Sequence, residues 1–299
     1  MASGGGATEL YVKHIWGRQM RGRMIDLPSR GVSLYIKTIG NGYPLLLMHG
    51  GLGADHSTLL PMKRMSDAFK LIFYDHRCNG RSKGATCTSL TWENLTADAE
   101  ELRKNLGISK WAVLGHSFGG MIAQEYAIRY PDNITHLILM DTGADCRLVQ
   151  QGAPKVLAER GYRQVQVEAA RRLFNGELKP KELMITMLRL GKAYYHDHGM
   201  VMQIRAIINA LRMRSNPDAC IFGFKHLLKN WTLMKQLNAI KIPVLLIAGI
   251  SDFQFPPDHQ MEMVKAFPNA HYEAIDSCSH NPLIEKPTEA IELIRQFIL

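Results

Sequence analysis

The chain has 299 residues, of which 46% are apolar and 21% are charged, enough for one large α/β domain or two small domains with a sizeable core. Its longest apolar runs, at 45–48 and 244–248, are far shorter than the roughly 20 residues of a transmembrane helix, which excludes a membrane span. The formal net charge of +9 is compatible with a nucleic-acid partner, but no nucleic-acid-binding motif accompanies it.

Residues 1–22 contain basic side chains but no apolar stretch of the length that a secretory signal needs, and they are predicted to form a flexible leader. Beyond them, short β-branched apolar runs alternate with helical patterns, which is typical of a mainly parallel sheet with helices on both faces. Amphipathic helices are predicted over 93–107 and 286–298. Strands are predicted at 32–39, 45–49, 70–75, 111–115, 136–141, 244–249 and 271–276.

The G-x-S-x-G motif at 115–119 lies between a predicted strand and a helical pattern. This setting places Ser117 in a sharp strand-to-helix turn, which needs small neighbours such as Gly115 and Gly119. The turn exposes the hydroxyl at a helix N-terminus, where free N–H groups favour negative charge. The motif therefore predicts a nucleophilic serine, and the competing interpretation is a tight turn with an idle serine.

The alternation of strands and helices stops between 143 and 237, where the sequence is Met-rich and helical in pattern. We predict a helical cap insertion at 143–237, with the core built from 23–142 and 238–299. Between Asp145 and Gln236 there are sixteen Lys or Arg against seven Asp or Glu, and the remainder of the chain is balanced. This basic excess indicates a solvated helical surface or a field that attracts anionic substrates; nucleic acid is the least favoured partner.

A serine nucleophile requires a histidine base and a carboxylate that orients it. His280 lies in the loop after the last predicted strand, which suits the base. Asp252 follows the strand at 244–249 by a short loop and is the preferred acid, while Asp141, at the end of the strand at 136–141, is the alternative. The chain order of serine, aspartate and histidine holds for either acid.

The negatively charged oxygen of a tetrahedral intermediate also needs two backbone N–H donors. Phe118, which follows the serine, supplies the first. The glycine-rich loop at 49–53 is expected to supply the second from Gly51, with Leu52 as the fallback. An ordinary glycine-rich turn would explain the same loop.

Taken together, these motifs resemble those of the α/β-hydrolase superfamily, most closely the branch that contains the proline iminopeptidases. The resemblance implies an eight-stranded, mostly parallel sheet, a helical cap after the sixth strand, a Ser117, Asp252 and His280 triad, and no cofactor. The chain departs from the iminopeptidase pattern at Leu52, His116 and Phe118, and has Cys78 where a glycine is usual. The motifs are HGGLG (49–53), YDHRCNGRS (74–82), GHSFGG (115–120), GISD (249–252) and SHNPLIEKP (279–287).

The sequence thus predicts a serine hydrolase that cleaves a carboxylic ester, a lactone or a related acyl substrate. Alternatives are an aminopeptidase acting on N-terminal proline, a hydrolase of C–C bonds and a binding protein without catalytic activity. The expected partner is a small-molecule substrate, with no nucleic acid, no cofactor and no metal. Five cysteines without a C-x-x-C pair favour a reducing, cytoplasmic setting, and no feature bears on the oligomeric state.

Overall fold

The computed structural model describes residues 21–299. The predicted leader lies outside the described residues up to residue 20, and its last two residues belong to the first strand, Arg21–Leu27. The predicted boundary at residue 22 therefore cuts into a strand that the sequence analysis missed.

The sheet contains all eight strands of the described region, in the spatial order β1-β2-β4-β3-β5-β6-β7-β8. β2 is antiparallel to both of its neighbours, and the other pairings are parallel. This architecture confirms the predicted α/β-hydrolase fold with an eight-stranded, mostly parallel sheet. The strands are β1 (Arg21–Leu27), β2 (Val32–Ile39), β3 (Tyr43–Met48), β4 (Phe69–Tyr74), β5 (Trp111–His116), β6 (Ile134–Met140), β7 (Val244–Gly249) and β8 (Ala270–Ile275).

Helices cover both faces of this sheet, and five of them, α3 to α7, lie between β6 and β7. The two helices predicted at 93–107 and 286–298 correspond to α1 and α10. The helices are α1 (Trp92–Asn105), α2 (Phe118–Arg129), α3 (Cys146–Glu159), α4 (Gln164–Phe174), α5 (Leu183–Leu190), α6 (Met200–Arg212), α7 (Pro217–Phe222), α8 (Pro257–Ala266), α9 (Pro282–Glu285) and α10 (Pro287–Ile298).

Two buried apolar clusters sandwich the sheet. One contains residues of α1 and α2, and the other contains residues of α10 and the 3₁₀ segment His56–Met65. β5 and β7 are buried along their whole length, as expected for central parallel strands. Their carboxyl ends meet at one edge, so the loops that follow them lie close together. Within residues 21–299, no helix combines the length and apolar character needed to cross a membrane.

Candidate active site

Ser117 forms a sharp turn between β5 and α2. Its backbone has φ of +53°, a region that non-glycine residues seldom occupy and that stores strain. The Ser117 N–H donates to the Met140 carbonyl at 2.9 Å, and the Thr142 hydroxyl donates to the Ser117 carbonyl at 2.7 Å. These bonds from β6 and the residues after it hold the strained turn at the carboxyl edge of the sheet.

The glycines of the motif are required by close backbone approach. A Cβ at Gly115 would lie 2.4 Å from the Gly119 carbonyl oxygen, and a Cβ at Gly119 would lie 2.1 Å from the Met48 carbonyl oxygen. Because backbone atoms cannot rotate away as a side chain can, α2 can pack this closely on β3 and β5 only with glycine at both positions.

His280 lies in the loop between β8 and α9 and contacts the two other predicted triad residues. Its Nε2 is 3.0 Å from the Ser117 Oγ, and its Nδ1 is 2.8 Å from Oδ2 of Asp252. All three residues are buried, with Ser117 the most exposed at 9%. With the proton on Nδ1, the imidazole donates to Asp252 and accepts the serine proton on Nε2. The structure therefore joins these three residues in one hydrogen-bonded chain.

The carboxylate of Asp252 is oriented by its own loop, since its Oδ1 accepts the Gln254 N–H at 2.8 Å. The alternative acid, Asp141, accepts the Gly249 N–H through Oδ1, while its buried Oδ2 has no hydrogen-bond partner. Burial, together with the charge of Asp252, holds the pKa of Asp141 well above its usual range. The acid that is bonded to His280 is thus Asp252, and burial beside its charge favours the neutral form of the Asp141 carboxyl group.

The loop that carries His280 is tied to the segment between α5 and α6. The Ser279 hydroxyl donates to the Ala193 carbonyl at 3.1 Å, and the Asn281 amide donates to the Tyr194 carbonyl at 3.0 Å. Glu285 accepts the N–H groups of both Ser279 and His196. Residues 193–196 are therefore hydrogen-bonded to the residues immediately before and after His280.

His116 also holds the backbone of His280 in place, a role that the sequence analysis did not assign. Its Nε2–H donates to the backbone carbonyl of His280 at 2.8 Å. Burial, with a smaller contribution from the positive charge of His280, lowers the pKa of His116 to about 3. It is thus a neutral imidazole that anchors the backbone of its neighbour, and its position before the serine gives no signal of this contact.

The predicted oxyanion donors lie on the loop after β3 and at the start of α2. Among the described residues, no acceptor is within hydrogen-bonding reach of the N–H of Gly51 or of Phe118. Gly51 has φ of +66°, a left-handed conformation that glycine adopts without strain. At Gly50, a Cβ would come within 3.0 Å of the Ser117 Cβ. The glycine-rich loop therefore approaches the serine closely, and among the described residues the N–H groups of Gly51 on this loop and of Phe118 on α2 have no acceptor.

Aromatic side chains surround the base. Phe255 stacks on the His280 ring with centroids 5.9 Å apart, and Tyr194 meets it edge-on at 5.6 Å. Leu52 of the glycine-rich loop packs on Gly223, where a Cβ would lie 2.2 Å from the leucine side chain. The segment between β6 and β7 thus contacts His280 through Tyr194 and the glycine-rich loop through Gly223.

A second buried polar cluster consists of Asp55, His56 and Asp75, whose potential metal-ligand atoms lie within 4.8 Å of one another. Asp75 accepts hydrogen bonds from the backbone N–H and the ring Nδ1 of His56, and from the backbone N–H of Arg81. Burial alone would raise the pKa of Asp75. The hydrogen bond from His56 and nearby positive charge outweigh this effect, so the pKa is lowered. Asp55 pairs with the Arg81 guanidinium at 3.0 Å. A set already satisfied by a guanidinium and N–H donors fits an internal ion network rather than a metal site.

The turn that contains His196 and His198 joins the segment after α5 to α6. The His196 ring bonds to the Ser251 hydroxyl, and the His198 ring bonds to the carbonyls of Lys192 and Tyr195. The two imidazoles thus have different partners. Cys78, where the resembled pattern has glycine, has φ of +61°, which explains the usual residue there.

Comparison with known proteins gives a match between residues 43–287 and the family model for the alpha/beta hydrolase fold. The chain is 25% identical over 264 residues to proline iminopeptidase PfmaB of Pestalotiopsis fici, a match that covers 85% of this chain and 92% of that protein. It is 27% identical over 267 residues to a proline iminopeptidase of Clostridium botulinum, covering 87% and 90%.

Among solved structures, an esterase from Exiguobacterium antarcticum superposes with a TM-score of 0.74 at 19% identity, covering 93% of this chain and 99% of that one. At this identity the likeness concerns the fold. The match to the family model, by contrast, spans residues 43–287, a range that includes every motif of the site.

Proposed function

This chain belongs to the α/β-hydrolase family, and we propose that it is a serine hydrolase that cleaves a carboxylic ester, a lactone or a related acyl substrate. The observation that carries the proposal is the continuous hydrogen-bonded chain from the Ser117 Oγ through His280 to Asp252. A strained turn, a buried base and a buried carboxylate in this geometry are the elements of an acyl-transfer site.

In the proposed reaction, Oγ of Ser117 attacks the acyl carbon while Nε2 of His280 takes the serine proton. The imidazolium is stabilised by Asp252 and then protonates the leaving alcohol, which leaves an acyl group on Ser117. Water enters, His280 removes its proton, and the second intermediate collapses to the free acid and the original serine. Every proton transfer passes through Nε2 of His280, the atom that lies 3.0 Å from the Ser117 Oγ.

The N–H groups of Gly51 and Phe118 are proposed to stabilise the oxyanion in both half-reactions. Their support is their position beside Ser117 and their lack of any other acceptor among the described residues. Phe118 is the first residue of α2, so the helix dipole adds to its effect. Loss of one such donor typically lowers kcat by about 10² to 10³ fold.

The surroundings of the base favour an apolar acyl or alcohol group. Phe255 and Tyr194 contact the His280 ring, and Leu52 covers the glycine-rich loop. Because Ser117 is only 9% exposed and residues 193–196 are bonded over the base, we infer that substrate enters when the proposed cap at 143–237 shifts.

An aminopeptidase that removes N-terminal proline is the second candidate, favoured by the two proline iminopeptidases that match over most of their length. Recognition of a free amine would use an unpaired carboxylate near the serine. Of the seven acids between Asp145 and Gln236, five form ion pairs with Arg or Lys, and Asp197 and Asp218 are exposed. The pairs are Asp145–Arg147, Glu159–Lys155, Glu168–Arg171, Glu177–Arg171 and Glu182–Arg172. This pattern supports an acyl ester over a free amine.

The decisive experiment compares the wild type with Ser117→Ala on short aryl esters, lactones and proline anilide. We expect the wild type to hydrolyse esters or lactones faster than the anilide, and the variant to lose about 10⁶ fold in kcat. Labelling with a fluorophosphonate, followed by peptide mass spectrometry, should place one adduct on the peptide that contains Ser117.

Faster turnover of proline anilide than of any ester would establish the aminopeptidase instead. Cleavage of a diketone but of no ester would indicate a C–C hydrolase. If neither protein turns over any substrate or reacts with the fluorophosphonate, the chain is a binding protein and the proposal is wrong.

A further inference from the structure

Exposed apolar side chains are concentrated on two helices that follow each other in the chain, outside the candidate active site. Of the fifteen large apolar residues that are exposed among the described residues, ten belong to α5 and α6. A patch of this kind on a soluble domain marks an interaction surface. We call these ten the α5–α6 face: Met184, Ile185, Met187, Leu188, Met200, Val201, Ile204, Ile207, Ile208 and Leu211.

On α6, the apolar stripe faces away from the protein. At 100° per residue, its six exposed apolar residues fall within about 120° of arc. The single fully buried side chain, Met202, lies on the opposite side. A stripe of this width normally packs on a core, but here Leu211 is 82% exposed and Met200 is 75% exposed. The helix is therefore attached through its narrower side and presents its apolar side outwards.

Cations border this face. Arg205 and Arg212 lie about 20° to 40° beyond one edge of the α6 stripe on the same wheel. Arg189 lies in the last turn of α5 and Lys192 just beyond it. Within the described residues none of these four cations forms an ion pair with a carboxylate. The segment 183–214 contains five Lys or Arg and a single acid, Asp197. The border is thus strongly and uniformly positive.

An open cavity of about 620 Å³ adjoins the face at α5. It is lined by both apolar and cationic side chains, including Ile185 and Leu188 of the face together with Arg189 and Lys192. His198, two residues before α6, lines it as well, so the start of α6 lies at its rim. The combination suits an anionic head group beside an apolar chain.

We propose that the α5–α6 face docks on the surface of an anionic lipid bilayer. An amphipathic helix with Met, Ile and Leu on one side and Arg at its border is the pattern that lies in a membrane interface, held by apolar burial and by attraction to anionic lipids. A two-fold contact with a second copy would bring the same patch together. In such a dimer, the cations that border the face in one copy would lie opposite those of the other copy and repel them. The charge therefore favours an anionic bilayer over a second copy.

The test is flotation of the full-length protein with phosphatidylcholine vesicles, with and without phosphatidylglycerol. We expect wild type to float with the anionic vesicles and to be released by high salt, because the electrostatic part is screened. The double variant Ile204→Ser with Leu211→Ser should bind about tenfold more weakly. The double variant Arg205→Glu with Arg212→Glu should show a similar loss.

Matched controls alter exposed residues elsewhere by the same chemistry. Met261→Ser with Leu299→Ser removes two apolar groups that are exposed outside the face, and Lys241→Glu with Lys265→Glu changes the net charge equally. Both should float like wild type. Ser117→Ala should also bind vesicles normally, so failure of the proposed hydrolysis would leave this test intact.

Equal binding to neutral and anionic vesicles, or equal loss of binding in the controls, would overturn the proposal. The proposal would also be overturned if the wild type bound neither kind of vesicle. In that case light scattering identifies the occupant: a dimer that dissociates in the Ile204→Ser, Leu211→Ser variant assigns the face to a second copy, and a monomer assigns it to neither.

Discussion

The helices α10 and α6 are both amphipathic and nearly equal in length, but only one buries its apolar side. In α10, the residues Ala290, Ile291, Ile294 and Ile298 are buried against the sheet. In α6, six apolar residues are exposed and Met202 alone is fully buried. The periodicity of a helix identifies its apolar side, while its connection to the rest of the chain determines what covers that side.

The difference follows from where each helix is attached. α10 follows β8 after the short helix α9, so it returns directly onto the neighbouring strands. α6 lies between other helices of the insertion after β6 and has no strand to pack on. The same contrast applies to polar groups. Ser117, His280 and Asp252 at the sheet edge are bonded to one another, whereas the cations that border the α5–α6 face have no ion-pair partner within the described residues.

The largest expected effect is at the sheet edge, where exchange of one carboxylate for an amide should nearly abolish turnover. Asp252→Asn keeps the shape of the side chain but no longer holds the proton on Nδ1 of His280. We expect kcat to fall by about 10⁴ fold, as for the equivalent change in other triads. The measurement is steady-state kinetics on the best ester found above.

Asp141→Asn is the matched control, because Asp141 is equally buried but contacts Gly249 rather than His280. The amide keeps an oxygen that accepts the Gly249 N–H, so Asp141→Asn should change kcat by less than about tenfold. A larger loss from Asp141→Asn than from Asp252→Asn would make Asp141 the acid of the triad and contradict the assignment.

The helix comparison itself predicts unequal losses of stability from one substitution. Ile294→Ala, in the buried face of α10, should lower the free energy of unfolding by about 2 to 5 kcal/mol, because it leaves a cavity. Ile204→Ala, at 50% exposed on α6, should change it by less than about 0.5 kcal/mol. Urea denaturation of both variants measures the difference. Equal losses would mean that the apolar side of α6 is covered in solution.

Much of the fold followed from the sequence because burial and periodicity agree in the core. β5 and β7 are continuous apolar runs, and both were predicted within one residue of their bounds. β1 was missed because the run RGRMIDL mixes charges with apolar residues, as edge strands do. Only its register against β2 identifies it.

The positions of Ser117, Asp252 and His280 at strand ends could be read from the sequence, because loops after parallel strands meet at one edge. Their catalytic roles, and those of Gly51 and Phe118, stay predictions. The bond from His116 to the His280 carbonyl and the outward side of α6 had no sequence signal. The first depends on the path of the loop that carries His280, 164 residues further along the chain. The second depends on which elements pack around α6.

The smallest of these effects is a pH dependence at the buried edge, and it tests whether His116 is held neutral. Its pKa of about 3 in the folded protein lies below the ordinary value of 6.5, so the unfolded chain takes up a proton first as the pH falls. The stabilisation that results from this difference in pKa is fully present above pH 6.5 and is lost as the pH decreases towards 3. Between pH 7 and pH 5 the loss amounts to about 2 kcal/mol.

His116→Gln removes this titration while keeping an N–H donor for the His280 carbonyl. His49 and His76, whose pKa values burial also lowers, remain in both proteins, so their contribution cancels in the comparison. Urea unfolding at the two pH values should therefore show wild type losing about 2 kcal/mol more than the variant. If the two proteins lose the same amount, the His116 imidazole is free to take a proton at pH 5. The sheet edge would then be open to solvent at this point, as the α5–α6 face is.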